Sequence, residues 1–537
     1  MTAWRPRHMT RAARVALARL PVLGRVPDGP VIPVRDPWPG DASRGARLLR
    51  DEMEAWGATR PMLPGRWADT TGAPRLRAAA HGFAWLRDLR TLGTDAARTR
   101  ARQLVAGWIG TAGLERLAHR PDVAGARIAA WLSHFDFFAA SADDAFRQAL
   151  MGRLVADTRL LAASLPGDEI DGRALTALRG LMAAGVALPN HGAFLTRALR
   201  LLPAELARQV LPDGYHVERS PAAQLTALQD LVEIRALLAA ARTPPPMALA
   251  AAIERMAPAL RALRHGDGGL VLFNGTRDGT ARDTEAALIE LVLAQAGRGG
   301  RAPSGLTEGG FHRLQAGRSV LMLDGGPPPP PGLDGYAHAG TLSIELSIGR
   351  ERLLVNCGAA PVSNSDAWST AARATAAHST LVMGDTNSSE LKSGGLGRVP
   401  AVVEVQRQEA NGAHWLEASH DGYRAVCGAL HRRRLYMAES GEDIRGEDAV
   451  EAREPQPYAV RFHLHPDVQA LVQDEGDSVL LRLPSGTTWR FRAEGAAMMM
   501  EESVYLGGSA PRPTMQIVLT GMAEGLQQVK WALSKVG

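Results

Sequence analysis

Cysteine and lysine are both scarce in this chain of 537 residues. Cys357 and Cys427 are the only cysteines, and two cysteines cannot form a disulfide scaffold, so we expect buried free thiols. Only Lys392, Lys530 and Lys535 are lysines among 61 basic residues. The formal net charge of +5 is a small excess for this length, and no basic stripe or nucleic-acid module is visible. We therefore expect no nucleic-acid partner.

The sequence also lacks any run of 18 apolar residues, so it predicts no transmembrane segment. Residues 1–40 are basic and partly apolar, but Arg14 and Arg19 interrupt the apolar stretch and no clear cleavage site follows. We interpret this segment as amphipathic, lying on the protein or on a membrane surface, and not as a secretion signal. This pattern alone favours a cytoplasmic location.

The patterning of apolar residues divides the chain into a helical part and a β-rich part. Apolar residues recur three and four apart between residues 75 and 300, as in consecutive amphipathic helices. After residue 300, short β-rich runs follow one another with turn signals and no helices between them, which predicts antiparallel sheets. We place the boundaries at 1–40 for the basic segment, 41–300 for the helical domain and 301–537 for the β-domain.

The stretch 336–380 is the most informative part of the chain. Apolar residues alternate with polar or small ones over 342–348, which predicts a strand with one buried face. His338 and His378 lie at the margins of this β-rich stretch, and Asn356 lies between them in sequence. This arrangement outlines a metal or catalytic site.

The same stretch resembles the C-terminal β-domain of the heparinase II/III family of polysaccharide lyases. Further similarity lies in LARQVLPDGYHVERSP (206–221), RHGDGGLVLFNG (264–275) and VRFHLHP (460–466), so that the resemblance covers most of the chain after residue 35. It implies an N-terminal incomplete α/α toroid followed by an antiparallel β-sandwich. A plain helical bundle is the alternative to the toroid. The resemblance also implies a location in the periplasm or cell envelope, in conflict with the N-terminal pattern.

The resemblance implies β-elimination on a uronic-acid polysaccharide. This reaction removes the C5 proton, neutralises the adjacent carboxylate and protonates the departing O4. The family uses an Asn-His pair on a toroid helix, a tyrosine after a Ser-Pro motif and a histidine on the β-domain. Here Gly172 and Arg173 occupy the positions of the pair, and no tyrosine follows Ser220-Pro221. Tyr336 replaces the histidine, so most of this machinery is absent.

Several polar residues remain near the expected site. Arg219 is a candidate for pairing with a uronate carboxylate, and Tyr336 or His216 is a candidate acid and base. The candidate substrate-binding residues are Tyr215, Glu218 and Arg173. The structural alternative for this segment is a turn at Asp213-Gly214, followed by a helix that begins near Ser220.

A zinc site is implied by the resemblance at His338, Asn356 and His378. Asn356 stands where the family has an aspartate, and an amide brings neither charge nor strong donor character to a zinc ion. The alternative is that the two histidines are structural and hydrogen-bonded across two strands. Zinc is the only cofactor that we consider.

Two functions follow from these expectations. The first is a lyase that cleaves a uronic-acid-containing glycan, heparin-like or otherwise acidic, by β-elimination. The second is a protein that keeps the fold, has lost the chemistry and binds an envelope or capsular glycan without cleaving it. In both cases the expected partner is an acidic polysaccharide or oligosaccharide.

Overall fold

The computed structural model describes residues 6–20, 26–111, 114–167, 172–278, 282–297, 300–362, 366–473, 476–508 and 510–537. Helices dominate the chain before residue 300. They are α1 Pro6–Ala18, α2 Ala42–Leu49, α3 Pro74–Gly82, α4 Leu86–Leu92, α5 Asp95–Gly110, α6 Pro121–Ser133, α7 Phe135–Phe138, α8 Asp144–Ser164, α9 Ala174–Ala187, α10 Gly192–Gln209, α11 Pro221–Ala240, α12 Met247–Ala262 and α13 Arg282–Ala296. No helix in the described part of the chain is long and apolar enough to cross a membrane.

Local chemistry explains where these helices begin and how closely they pack. Asp143 caps α8, because its Oδ1 accepts a hydrogen bond from the Phe146 amide at 2.7 Å. Pro221 begins α11 at a position where a missing N–H costs nothing. Helices α6 and α9 cross at Gly125 and Gly180, where a Cβ on either glycine would overlap the backbone of the other helix. These glycines permit the close approach of the two helices.

Strands dominate the chain after residue 300. They follow a short hairpin of β1 Glu52–Ala55 and β2 Ala58–Pro61 in the helical part. The later strands are β3 Gly305–Leu306, β4 Phe311–Ala316, β5 Ser319–Asp324, β6 Ile344–Ile348, β7 Glu351–Val355, β8 Leu381–Met383, β9 Leu391–Lys392, β10 Gly395–Leu396, β11 Val403–Ala410, β12 Ala413–His420, β13 Leu430–Met437, β14 Asp443–Leu464, β15 Gln469–Gln473, β16 Ser478–Arg482, β17 Thr488–Glu494, β18 Ala497–Tyr505 and β19 Arg512–Val536.

The described strands pair antiparallel, and the two long strands β14 and β19 lie at the centre of the main sheet. Neighbouring strands follow the order β15-β16-β17-β19-β14-β7-β6-β5-β4-β3. In addition, β13 pairs with β14, β12 with β13 and β11 with β12. Strand β8 pairs with β14, and β18 pairs with β19. The pairing of β14 with β19 is interrupted between Ala452 and Gln456, where a shift of register bends the long strands. Residues such as Leu346, Phe462 and Trp531 fill the apolar core of this domain.

The predicted fold class, an incomplete α/α toroid followed by an antiparallel β-sandwich, is confirmed, but two local predictions are wrong. Two short helices interrupt the strands, α14 Asp366–Arg373 and α15 Arg424–Cys427. Three alanines in α14 favour helix there. The strand predicted over 342–348 to have one buried face is buried on both faces of β6, because Glu345 and Ser347 are buried as well as the apolar residues.

The described chain forms two compact units, and every residue of the β-domain site discussed below lies in the second. The first unit contains the chain up to Gln209 and Thr226–Ile253. The second contains Val210–Leu225, Glu254–Pro361 and the chain after residue 365.

Candidate functional site

The segment 210–219 forms a tight loop that a glutamine side chain holds in place. Val210 and His216 form an isolated antiparallel bridge, and Gly214 has a φ of +85° between them. Gln224 accepts a hydrogen bond from the His216 amide at 2.7 Å and donates to the carbonyls of Gly214 and Met256 at 2.9 and 3.0 Å. The family motif has a tyrosine shortly after Ser-Pro. In this chain Gln224 lies in that region, and its side chain anchors the backbone of the loop.

Arg219 is buried, and its guanidinium is bound by the protein itself. Its Nε donates to Gly309 O at 2.7 Å, and its Nη1 donates to Gly326 O at 3.3 Å and Pro327 O at 2.7 Å. Its Nη2 forms an ion pair with Asp324. Four of the five N–H groups of this side chain therefore have protein acceptors. Burial raises the pKa of Asp324 although Arg219 opposes the shift.

The neighbours of Arg219 in the predicted motif are also enclosed. Tyr215 is fully buried against Phe311, and its hydroxyl has no hydrogen-bond partner among the described residues. Burial raises the pKa of Tyr215 well above its ordinary value. The His216 ring is buried and its Nδ1 accepts a long hydrogen bond from the Glu218 amide at 3.4 Å. Glu218 is half-buried.

His338 and His378 form a buried hydrogen-bonded pair. The amide of Gly275 donates to His338 Nε2 at 3.1 Å, so the proton of this ring lies on Nδ1. His338 Nδ1 then donates to His378 Nε2 at 3.0 Å, and His378 Nδ1 donates to Ala374 O at 2.8 Å. Burial lowers the pKa of His338 far below its usual range and lowers that of His378 to about 4. Both rings are therefore neutral near pH 7.

Asn356 belongs to a second buried network. Its Nδ2 donates to Glu345 Oε1 at 3.1 Å, and its Oδ1 accepts from the Ser379 amide at 2.9 Å. Glu345 also accepts from the Asn356 amide, and its other oxygen lies 2.8 Å from His265 Nε2. His265 Nδ1 lies 3.0 Å from Ser347 Oγ. This network accounts for the buried polar face of β6.

These contacts decide whether His338, Asn356 and His378 fit a zinc ion. Both ring nitrogens of each histidine already have protein partners, as do both polar atoms of the Asn356 side chain. A zinc ligand must offer a lone pair that is not engaged in a hydrogen bond, so the donor set in this arrangement does not fit zinc. No cluster of three or more His, Cys, Asp or Glu side chains in the described regions is arranged to hold a metal. The hydrogen bonds agree with two structural histidines, but both residues lie outside the strands, so the predicted pairing across two strands is wrong.

Tyr336 and Arg173 are the more accessible candidates. The Tyr336 side chain is 37% exposed, and its loop is held by the Arg373 guanidinium, which donates to Ala337 O at 2.9 Å. Arg173 lies in the other unit, immediately before α9, where its Nε is 3.9 Å from Asp122 Oδ2. In the second unit, Asn274 connects the loop of Arg219 to the segment of His338, and His338 in turn contacts His378.

Sequence reasoning missed Asn274. Its Nδ2 donates to Arg219 O at 2.9 Å, and its Oδ1 accepts from the His338 amide at 3.0 Å. It therefore connects the loop of Arg219 to the segment of His338. Asn274 has a φ of +40° and is followed by Gly275, so the dipeptide Asn-Gly was the available signal for a special turn.

Two comparisons with known sequences place the chain in a family. The family described as "Heparinase II/III-like, C-terminal" matches residues 298–532. FtsZ-localized protein C of Caulobacter vibrioides is 32% identical over 544 residues, which cover 95% of this chain and 91% of that protein. The chain belongs to the heparinase II/III-like family.

Solved structures of two other proteins have the same fold. Heparinase III matches with a TM-score of 0.75 and 13% identity, covering 98% of this chain and 89% of the other. The heparan sulfate lyase HepC from Pedobacter heparinus matches with a TM-score of 0.60 and 14% identity, covering 98% of this chain and 87% of the other. At such low identity these matches establish the fold alone.

Proposed function

We propose that this chain binds an acidic, uronic-acid-containing glycan without cleaving it. The observation that carries this proposal is the enclosure of Arg219, the cation predicted to neutralise a uronate carboxylate. Its N–H groups are bound to three carbonyls and to Asp324 inside the protein. Releasing them to a substrate would leave the Asp324 carboxylate buried without its partner, which is strongly unfavourable.

The acid and base positions support the same conclusion. His216 is buried, and both nitrogens of His338 are engaged by protein groups. A general base must reach the proton that it removes, and a buried imidazole with its lone pair in use cannot do so without rearrangement. The resemblance to the family puts Gly172 and Arg173 where it has its Asn-His pair. The glycan class is carried over from the polysaccharide lyases that the chain resembles, and a heparan sulfate lyase shares its fold.

The lyase is the second candidate, and the exposure of Tyr336 favours it. This tyrosine stands where the family has a histidine, and it is the accessible acid-base group of the predicted catalytic set. A phenol can remove and return a proton if a nearby charge lowers its pKa. The lyase function therefore depends on this one side chain.

One experiment separates the two functions. The purified chain is incubated with heparan sulfate, chondroitin sulfate and alginate, while the absorbance of a new C4–C5 double bond and retention on the immobilised polymers are measured. Retention without rising absorbance supports binding alone. Rising absorbance that Tyr336→Phe abolishes would overturn our proposal and establish the lyase. The absence of both signals would reject both functions for these polymers.

We also propose that the chain localises with FtsZ, as the name of its relative from Caulobacter vibrioides says of that protein. The favouring observation is 32% identity spread over 95% of this chain, which is not confined to the β-domain. The test is a fluorescent fusion of the full chain, expressed in Caulobacter vibrioides lacking its own FtsZ-localized protein C. Co-localisation with labelled FtsZ is expected, and a uniform distribution would contradict this proposal.

A further inference from the structure

One face of the β-domain sheet forms an open concavity of about 1230 Å³. Its lining residues lie between residues 406 and 534, C-terminal to the residues of the candidate site. It lies over six neighbouring strands in the order β11, β12, β13, β14, β19 and β17. Directly opposite residues on paired strands point to the same face of a sheet. The strand register therefore shows which side chains share this surface.

One row across this face combines aromatic rings with arginines. Trp415 is opposite Tyr436, and Tyr436 is opposite Arg445. Arg445 is opposite Ala532, which in turn is opposite Arg492. We name this set of five residues the aromatic-cationic row. It crosses five strands, and at a strand spacing of about 4.8 Å it is about 19 Å long.

The aromatic end of the row is exposed to solvent. Trp415 is 41% exposed, and its ring centroid lies 5.3 Å from that of Tyr436 at an interplanar angle of 46°. An aromatic ring has a negative face, which attracts the partly positive C–H groups on the apolar face of a sugar ring. Two adjacent rings at the surface thus offer a platform for consecutive sugars.

The charges on this face leave an excess of cations at the other end of the row. Arg434 is paired with Glu417 at 2.7 Å and with Glu447 at 3.2 Å, and Arg445 is paired with Asp443 at 2.7 Å. The remaining charged residues that line the concavity are Arg490, Arg492, Lys530 and Glu494.

Three cations thus remain beside a single carboxylate. None of the three forms an ion pair within the described residues, whereas the arginines near the aromatic rings are paired. Arginine binds a carboxylate through two parallel hydrogen bonds, so Arg490 and Arg492 are suited to the carboxylates of an acidic polymer.

We propose that the aromatic-cationic row binds an extended uronate polysaccharide, with sugar rings on Trp415 and Tyr436 and uronate carboxylates on Arg492 and Arg490. This inference rests on the proposed function and gives it a location on the sheet face. An extended polymer is the favoured occupant, because the aromatic platform and Arg492 lie along one line across the strands, and Arg490 lies two residues from Arg492 on the same strand.

The test measures binding of alginate oligosaccharides and heparan sulfate by calorimetry to the full chain and to matched variants. Trp415→Ala and Arg492→Ala are each expected to weaken binding about tenfold. The controls are Trp368→Ala, which removes a tryptophan that is 51% exposed on α14, and Arg424→Ala, which removes an exposed arginine on α15. Both controls should bind as the wild type does. Unfolding curves verify that all four variants fold.

Salt separates the two contributions. The loss caused by Arg492→Ala should shrink as salt screens the exposed charge, whereas the loss caused by Trp415→Ala should not. Losses of equal salt dependence would contradict the assigned roles.

Three outcomes would overturn the location. If the wild type binds but both row variants bind equally well, the glycan lies elsewhere and the proposed function survives. If the wild type binds none of these polymers, the location and the proposed function both fail. If the row variants instead abolish a dimer seen by light scattering and leave glycan binding unchanged, the face is an interface between two copies of the chain.

Discussion

His338 Nδ1 donates a hydrogen bond to His378 Nε2 at 3.0 Å inside the β-domain. The amide of Gly275 and the carbonyl of Ala374 engage the two outer ring nitrogens. The pair is thus a closed chain of neutral donors and acceptors, and it holds together segments that are 40 residues apart in sequence. Its closure has consequences for metal binding and for stability in acid.

The first prediction concerns zinc. Because all four imidazole nitrogens are engaged, the purified chain should contain no stoichiometric zinc, and added zinc should leave its Tm unchanged. Elemental analysis and thermal unfolding with and without a chelator measure this. One zinc per chain in the wild type, lost in His378→Gln, would show that the pair rearranges to bind metal.

The second prediction concerns pH. Burial lowers the pKa of His378 from 6.5 to about 4. Between these values the unfolded chain binds a proton that the folded chain does not, so stability falls as pH falls through this window. A shift of this size corresponds to about 3 kcal/mol.

The variant His378→Gln tests whether the imidazole of His378 causes this loss of stability in acid. His378→Gln should be less stable than the wild type at pH 7, and the difference in the free energy of unfolding should shrink toward pH 4. Urea unfolding at several pH values measures it. A difference that stays constant over the whole range would show that this imidazole does not contribute to the acid sensitivity.

The third prediction concerns Arg219 and Asp324. Arg219→Ala leaves a buried carboxylate and three carbonyls without their donor, so it should reduce the free energy of unfolding by about 3 to 5 kcal/mol. Arg424→Ala, on an exposed arginine, should change it by less than about 0.5 kcal/mol. Urea unfolding and glycan retention are measured together. An Arg219→Ala variant of normal stability that no longer retains the glycan would give Arg219 a direct role in binding.

The sequence predicted the fold class well because its signals are long and periodic. Helical periodicity before residue 300 and β-rich runs after it correspond to the observed helices and strands, although β14 and β19 are far longer than the short runs predicted, and the family motifs supplied their arrangement. Local burial was harder to predict. Alternation over 342–348 indicated a solvent-facing side, whereas the structure buries Glu345 by placing His265 and Asn356 against it.

The environment of the candidate residues was less predictable than their identity. The motif containing Arg219 predicted a turn followed by a helix, and both are present. The burial of Arg219 depends on the backbone carbonyls of Gly309, Gly326 and Pro327, which lie about a hundred residues away in sequence. Backbone acceptors of this kind cannot be recognised from the types of side chain in the sequence. The surface row containing Trp415 likewise depends on the register of distant strands, which single-strand patterns do not reveal.

The last prediction tests the helical packing. Helices α6 and α9 approach so closely at Gly125 and Gly180 that a Cβ on Gly180 would overlap the backbone of Gly125. Neither backbone can move without displacing its helix, so Gly180→Ala should destabilise the chain by about 1 to 3 kcal/mol despite the better helix propensity of alanine. Gly152→Ala on α8 is the matched control, because its new Cβ would meet only Val26 at 3.9 Å.

The control should be neutral or stabilise the chain by up to about 1 kcal/mol, because alanine restricts the unfolded state and favours helix. Thermal and urea unfolding of both variants against the wild type measure the two effects. If Gly180→Ala were as stable as Gly152→Ala, the two helices would have to lie farther apart than the structure places them. A loss confined to Gly180→Ala would instead show that the contact of these two glycines sets the spacing of α6 and α9.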